Sequence, residues 1–354
     1  MRAAVYHGRR DVRVEEVPDP PGPSAGEVLV APILCGICGT DVHEFTHGPI
    51  VTPVEPHALT GATNPQILGH EFCAEVLEVG EGVTHVLPGQ RVSAMPLLFC
   101  GTCPYCRLGH NHLCERMGCT GLSYAWGGLA EAAIVQASQL SVLPDEIDNT
   151  QGALIEPIAV AAYGVDRAGV APGTSVLVTG GGPIGILSAE YAIARGATTV
   201  VLSEPNPRRR AVAESLGLTA VLDPTAVDVV AEVQELTGGL GVDASIECAG
   251  AGPALDACIR ATRSRGTVAQ TGLHVAPATI DAFELSLREI TLVGTWCYPV
   301  TDFPRIIALL ASGKMRGSAA VTATVGIEET VDGFERLIDP TGGDVKILID
   351  PKSI

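Results

Sequence analysis

"SVLVTGGGPIGILSAEYAIARGATTVVLSE", from Ser175 to Glu204, leaves this chain the fewest ways to fold. An apolar run of strand length passes through a cluster of glycines into a segment of helical period, and a second apolar run follows. Gly180, Gly182 and Gly185 fall in G-x-G-x-x-G order. Such glycines permit a tight turn, close approach of a pyrophosphate to the backbone, and close packing of helix on strand, while the helix N-terminus offers N–H groups and the positive end of its dipole. Pro183 and Ile184 lie within the same turn and join the glycines as expected coenzyme contacts. Glu204 ends the next strand about twenty residues on, where a carboxylate accepts hydrogen bonds from adenosine ribose hydroxyls. It would repel a 2′-phosphate, which favours NAD over NADP. Arg208, Arg209 and Arg210 follow closely and could receive a phosphate if Glu204 turned away. Arg209 is placed in the coenzyme set, with Leu273 and Trp296 at the ends of the later runs "GTVAQTGL" and "ITLVGTW".

The same alternation continues through "TAVLD" and "VDASIECAG", predicting βαβ units and a parallel sheet covered on both faces. The first ~155 residues read differently. "GEVLVAPIL", "EFCAEVLEVG" and "QRVSAM" alternate like half-buried strands broken by Gly and Pro, so this part looks all-β. After Trp296, "TDFPRIIALLASGKM" predicts a helix opened by Thr301 or Asp302 and closed near Gly313, and "KILID" a last strand. The expected fold is therefore α/β: a β-rich domain over residues 1–157, a doubly wound nucleotide-binding domain over 158–295, and a return to the first domain over 296–354. The irregular stretch Thr46 to Pro65, too long for a plain connector, is expected to be a lid or binding loop.

Charge and hydropathy remove other classes. Formal net charge is −18, so the general field repels nucleic acid and favours a small-molecule partner. No apolar run approaches the ~20 residues that span a bilayer. The opening "MRAAVYHGRRDVRVEEV" alternates like a strand and lacks the features of a secretory signal, which predicts a cytoplasmic protein.

In such a compartment clustered thiols more often bind metal than form disulfides. Cys100, Cys103, Cys106 and Cys114 form C-x2-C-x2-C-x7-C, with Gly101, Pro104 and Gly109 available for tight turns. Four thiolates close a zinc ion's shell and leave no place for water, which marks a structural staple. Two other stretches have ligand character: "CGICGTDVH", Cys35 to His43, and "GHEFCAEVLEVG", Gly69 to Gly80. Taken alone, Cys35 and Cys38 are compatible with half of another zinc ribbon, and His70 with a hydrogen-bonded core histidine, the commoner fate of a lone His.

These residues, with the four-cysteine lobe and the glycine fingerprint in the same order, resemble the zinc-dependent medium-chain alcohol dehydrogenases. The resemblance spans essentially the whole chain and implies a GroES-like catalytic domain joined to a Rossmann domain. It implies two zinc ions per chain, one catalytic and one structural, with NAD as coenzyme. Carried onto this sequence, the catalytic ligands fall on Cys38, His70 and, as in the polyol and butanediol branch, Glu156 of "ALIEPIAVAAYG". Glu71 becomes an alternate ligand, Asp41 the partner of the His70 ring, Thr40 the relay hydroxyl and His43 the imidazole that passes a proton to solvent. Cys35 matches no ligand, and Cys73 reads as a buried hydrophobe. Ala74 and Gln90 depart from the family's usual Gly and Asp, at positions of packing and turn chemistry.

The implied activity is interconversion of a secondary alcohol or vicinal diol with its ketone. The insertion "HEFTHGPIVTPVEPHALTGATNPQILGHEF" and the segment "VGTWCYPVTDFPRIIALLASGKM" are similar to the butanediol branch. Polyol, threonine and terpenoid-alcohol dehydrogenases are the alternatives inside the family. A zinc-ribbon binding module and a zinc-free relative stand outside it. The resemblance also implies a homodimer or homotetramer.

Overall fold

The computed structural model describes residues 1–353. Six parallel strands form one sheet in the order Ala220–Leu222, Thr199–Ser203, Ser175–Thr179, Val242–Glu247, Thr262–Gln270, Thr291–Gly294. Every pairing in it is parallel. The order reverses between Ser175–Thr179 and Val242–Glu247, and the register aligns Thr179 with both Ser203 and Glu247, so the strand ends open onto one crevice. Val176, Leu177 and Val178 are wholly buried, which explains why these strands read as continuous apolar runs rather than alternating ones.

The other sheet has seven strands and centres on Glu27–Gly36, which pairs with Glu71–Val79, Ala133–Gln136 and the last strand, Lys346–Asp350. Leu348 lies opposite Gly36 and Ile349 opposite Cys35, so the end of the chain is built into its first half. The expected terminal helix is present as Phe303–Ala311. The β-rich part also holds a helix that the all-β reading did not anticipate, Gly39–His47. Cys38 caps it: its Sγ accepts from Thr40 N while Asp41 Oδ2 accepts from Cys38 N. Thiol and carboxylate together satisfy two free N–H groups of the first turn, which is why so short and polar a segment is helical.

The long helix Asn149–Arg167 joins the two sheets and runs continuously through the expected boundary at residue 157. Asp148 and Gln151 form its capping box. Ile155, Ile158, Ala159, Ala161 and Ala162 are wholly buried in the core shared with the parallel sheet. Glu156, the residue preceding Pro157, lies in the stretch Gly152–Ala159 of this helix, in which every residue is buried. The expected lid region after Gly48 is irregular and is organised by Glu44, whose carboxylate accepts from Ile50 N, Val51 N and Thr52 Oγ1.

Candidate metal centres and coenzyme crevice

One ligand atom from each of Cys100, Cys103, Cys106 and Cys114 lies within 4.8 Å of all the others. A tetrahedral zinc with Zn–S of about 2.3 Å needs sulfurs ~3.8 Å apart, so the set fits the ion. The backbone prepares the thiolates. Cys100 Sγ accepts from Cys103 N at 3.3 Å and Thr102 N at 3.5 Å, and Cys114 Sγ from Cys100 N at 3.3 Å and Arg116 N at 3.4 Å. The N–H and hydroxyl of Thr102 hold the Cys100 thiol down at about 5. Burial and the neighbouring Cys103 push Cys106 up to about 12. The lobe thus carries more anionic donors than it can ionise without a cation, and all eleven cysteines are free of disulfides.

The second group is assembled from afar. Cys38, His70 and Glu71 each place one donor atom within 4.8 Å of the other two. Cys38 opens the helix Gly39–His47, whereas His70 and Glu71 stand where the strand Glu71–Val79 begins. Antiparallel pairing of Gly36 with Glu71 brings the two segments together. A Cβ on Gly36 would lie 2.3 Å from Glu71 Oε2, so glycine here leaves the carboxylate in its observed place. His70 Nδ1 faces Asp41 Oδ1 at 3.5 Å, and neither atom has a hydrogen-bond partner among the described residues. Burial alone would lower the His70 imidazole, but Asp41 and Cys38 outweigh it and hold it well above the ordinary histidine range. Burial raises the Cys38 thiol. Three donors of mixed type, two of them anionic when ionised, suit a zinc site that keeps one position open.

Glu156 lies outside this mutual grouping. It is buried, and burial raises its carboxyl to about 7, with His70 opposing and Glu71 reinforcing that rise. Cys35 is wholly buried against Gly69. Cys73 turns its Sγ to Asn149 O at 3.1 Å, away from the ligand group, and burial pushes its thiol up to about 12. Thr40 and His43 share one face of the helix that Cys38 caps, three residues apart, and both are half-buried. Burial, with His47 adding to it, lowers the His43 imidazole.

Three features escaped the sequence. Lys346 is wholly buried and donates to Glu71 Oε2 at 2.5 Å. Tyr298 is wholly buried with a hydroxyl lacking a partner among the described residues. Cys297, beside it, adopts φ +47°, a conformation that side chains rarely take. None has a local signal: each matters only through neighbours distant in the chain.

In the crevice, Gly180 takes φ +95° and Gly182 caps the helix Pro183–Ala194. A Cβ on Gly185 would lie 1.8 Å from Gly180 O, so the third fingerprint glycine is enforced by the turn itself. Glu204 is buried; its Oε2 accepts from Gly181 N at 2.6 Å and its Oε1 from Asn206 N at 2.8 Å. The carboxylate therefore sits against the glycine turn rather than turning away. Arg210 is committed to Asp223 at 2.9 Å and to the carbonyls of Glu204 and Pro205. Arg209 is half-buried with an Nε that has no partner among the described residues. Leu273 and Trp296, each about half exposed, follow the strands Thr262–Gln270 and Thr291–Gly294 at the crevice end.

Residues 24–145 match the alcohol dehydrogenase GroES-like domain and residues 183–312 the zinc-binding dehydrogenase domain. The chain belongs to the zinc-binding alcohol dehydrogenase family: it is an oxidoreductase acting on CH–OH donors, with zinc and a nicotinamide dinucleotide as cofactors. Among its relatives, the (R,R)-butanediol dehydrogenase of Bacillus subtilis is 38% identical over 99% of this chain and 100% of that protein. That of Neisseria gonorrhoeae is 35% identical over 99% of both. The crystal structure of the 2R,3R-butanediol dehydrogenase from Bacillus subtilis superposes with a TM-score of 0.92 at 37% identity, covering 99% of each chain.

Proposed function

We propose that this protein interconverts 2,3-butanediol and acetoin with NAD, using residues 1–157 and 296–354 as the catalytic domain and 158–295 as the coenzyme domain. The observation that carries this reading is the meeting of Cys38 with His70 and Glu71, drawn from two segments, in a chain similar over its whole length to butanediol dehydrogenases. Cys38 and His70 hold the catalytic ion, Glu156 takes the third protein position, and Glu71 is an alternate. Asp41 Oδ1, 3.5 Å from His70 Nδ1, is the carboxylate placed to orient that ring once Nε2 binds the ion. Zinc, when bound, acts as a Lewis acid that makes an alcohol's hydroxyl more acidic. The hydroxyl of Thr40 accepts that proton's hydrogen bond and His43 passes the proton outward. The imidazole suits this because burial and His47 keep it neutral, and so able to accept a proton, around neutral pH. Cys100, Cys103, Cys106 and Cys114 hold the structural ion.

On the coenzyme side, Gly180, Gly182, Pro183, Ile184 and Gly185 take the pyrophosphate, Glu204 and Arg209 the adenosine ribose, and Leu273 and Trp296 flank the nicotinamide half. The engagement of Glu204 with Gly181 N and of Arg210 with Asp223 supports NAD over NADP. A homo-oligomer is supported by the open edge strand Thr291–Gly294, beside which Phe283 and Leu287 are 72% and 65% exposed. No helix among the described residues is long and apolar enough to cross a membrane. Free thiols throughout support a reducing, cytoplasmic setting.

Initial rates of NAD reduction with each butanediol stereoisomer, sorbitol, threonine and a cyclic terpenol test the substrate. One butanediol stereoisomer should give the highest kcat/KM, by at least about tenfold over sorbitol and threonine. Butanediol among the poorest substrates would end the branch assignment and leave the family intact.

A further inference from the structure

The last strand of the chain reaches the catalytic ligand group through one side chain. Lys346 opens the strand Lys346–Asp350 and is 1% exposed, a burial that lysine almost never shows unless paired. Its Nζ donates to Ile37 O at 3.0 Å and to Glu71 Oε2 at 2.5 Å. Ile37 precedes Cys38, and Glu71 follows His70. One ammonium is therefore bonded to both segments that carry the ligands. The close backbone at Gly36 confines Glu71 Oε2 from another direction.

Glu156 is placed differently. It is buried, yet no lysine, arginine or histidine among the described residues forms a salt bridge with it. Of the two carboxylates, Glu71 already has its charge met by a charge-assisted hydrogen bond and can offer a metal one oxygen, while Glu156 has both oxygens free of any cation. The carboxylate that no side-chain cation bonds directly gains more from an ion.

We propose that Lys346 is a positioning residue that restrains Glu71 and thereby assigns the third metal position to Glu156. The inference rests on Glu156 being that ligand. Freed of Lys346, Glu71 would compete for the same ion, since one of its oxygens already lies within 4.8 Å of the donor atoms of Cys38 and His70.

The test measures zinc affinity of the full-length protein by competition with a chromophoric chelator, with the four-cysteine ion as an internal count of folded chains. Glu156→Gln alone should weaken the catalytic zinc by roughly 100-fold. In a Lys346→Gln background, which keeps a donor for the Ile37 carbonyl, the same change should cost under about tenfold because Glu71 takes the vacated role. A merely structural lysine would leave the two effects multiplicative, and that result would overturn the proposal while keeping Glu156 as a ligand. No loss from Glu156→Gln alone would instead overturn the ligand assignment itself. Should Lys346→Gln fail to fold, Glu71→Gln tests the same claim with Lys346 intact. It should change zinc affinity by less than about threefold, and a loss equal to that of Glu156→Gln would show that Glu71 is not held back.

Discussion

The two ligand groups of this protein are built on opposite plans. Cys100 to Cys114 collects its four sulfurs from fifteen consecutive residues, and the backbone of the same loop donates to them. The Cys38 group takes its members from a helix start and a strand start, and its internal cation from the last strand. In the first, N–H groups hold the Cys100 thiol down; in the second, burial raises the Cys38 thiol. A loop that supplies both donors and their hydrogen-bond partners is self-contained and can close a coordination shell. A group whose parts are fixed by a helix start and two separate sheet pairings can leave one side open, because the fold rather than the ion holds it in place.

The sharpest way to break this comparison is to remove one ligand from each group. Cys38→Ser or His70→Ala should lower kcat by at least about a thousandfold, since Lewis-acid stabilisation is worth several kcal/mol. The protein should remain folded with about one zinc per chain by metal analysis, because sheet pairing, not metal, aligns these segments. Full alcohol oxidation by Cys38→Ser would show that the wrong thiol had been assigned. Cys103→Ser should do the converse: Tm lower by roughly 10 °C in a thermal scan, with kcat per folded chain within about threefold of wild type. A Cys103→Ser variant with unchanged Tm would mean that the lobe is not a staple.

The contrast also explains what could be read in advance. The four-cysteine lobe was legible because every donor sits in one short window. The glycine fingerprint was legible for a similar reason: the clash that a Cβ on Gly185 would make is with Gly180, five residues away. The central parallel strands Ser175–Thr179, Thr199–Ser203 and Val242–Glu247 were visible as apolar runs because both faces are buried. Cys38 and His70, by contrast, were found only through resemblance, since a lone thiol and a lone imidazole 32 positions apart carry no periodicity that joins them. Lys346 could not be found at all. In "GGDVKILID" it reads as an ordinary polar residue at a strand start, and its burial depends on the pairing of Leu348 with Gly36, more than 300 positions back. The helix Gly39–His47 was hidden because its cap is a cysteine, which is not among the usual capping residues.

A smaller effect probes how the open side of the Cys38 group exchanges protons with water. His43 lies three residues after Thr40 on the helix that Cys38 caps, and burial together with His47 sets its imidazole below the ordinary 6.5. It is therefore neutral, and able to accept a proton, throughout the neutral range. Because the folded state resists protonation at His43 while the unfolded chain does not, His43 costs nothing at pH 7.5 and subtracts stability as pH falls through 6.5. His43→Ala should lower kcat for alcohol oxidation about tenfold at pH 7, at the weaker end of general-base contributions because Thr40 can still pass its proton to water. The deficit should shrink toward pH 9.5, where hydroxide replaces the imidazole, and added imidazole should restore part of the rate at pH 7. A loss independent of pH and indifferent to imidazole would assign His43 to packing against His47 and leave the proton path of the open site to Thr40 and solvent alone.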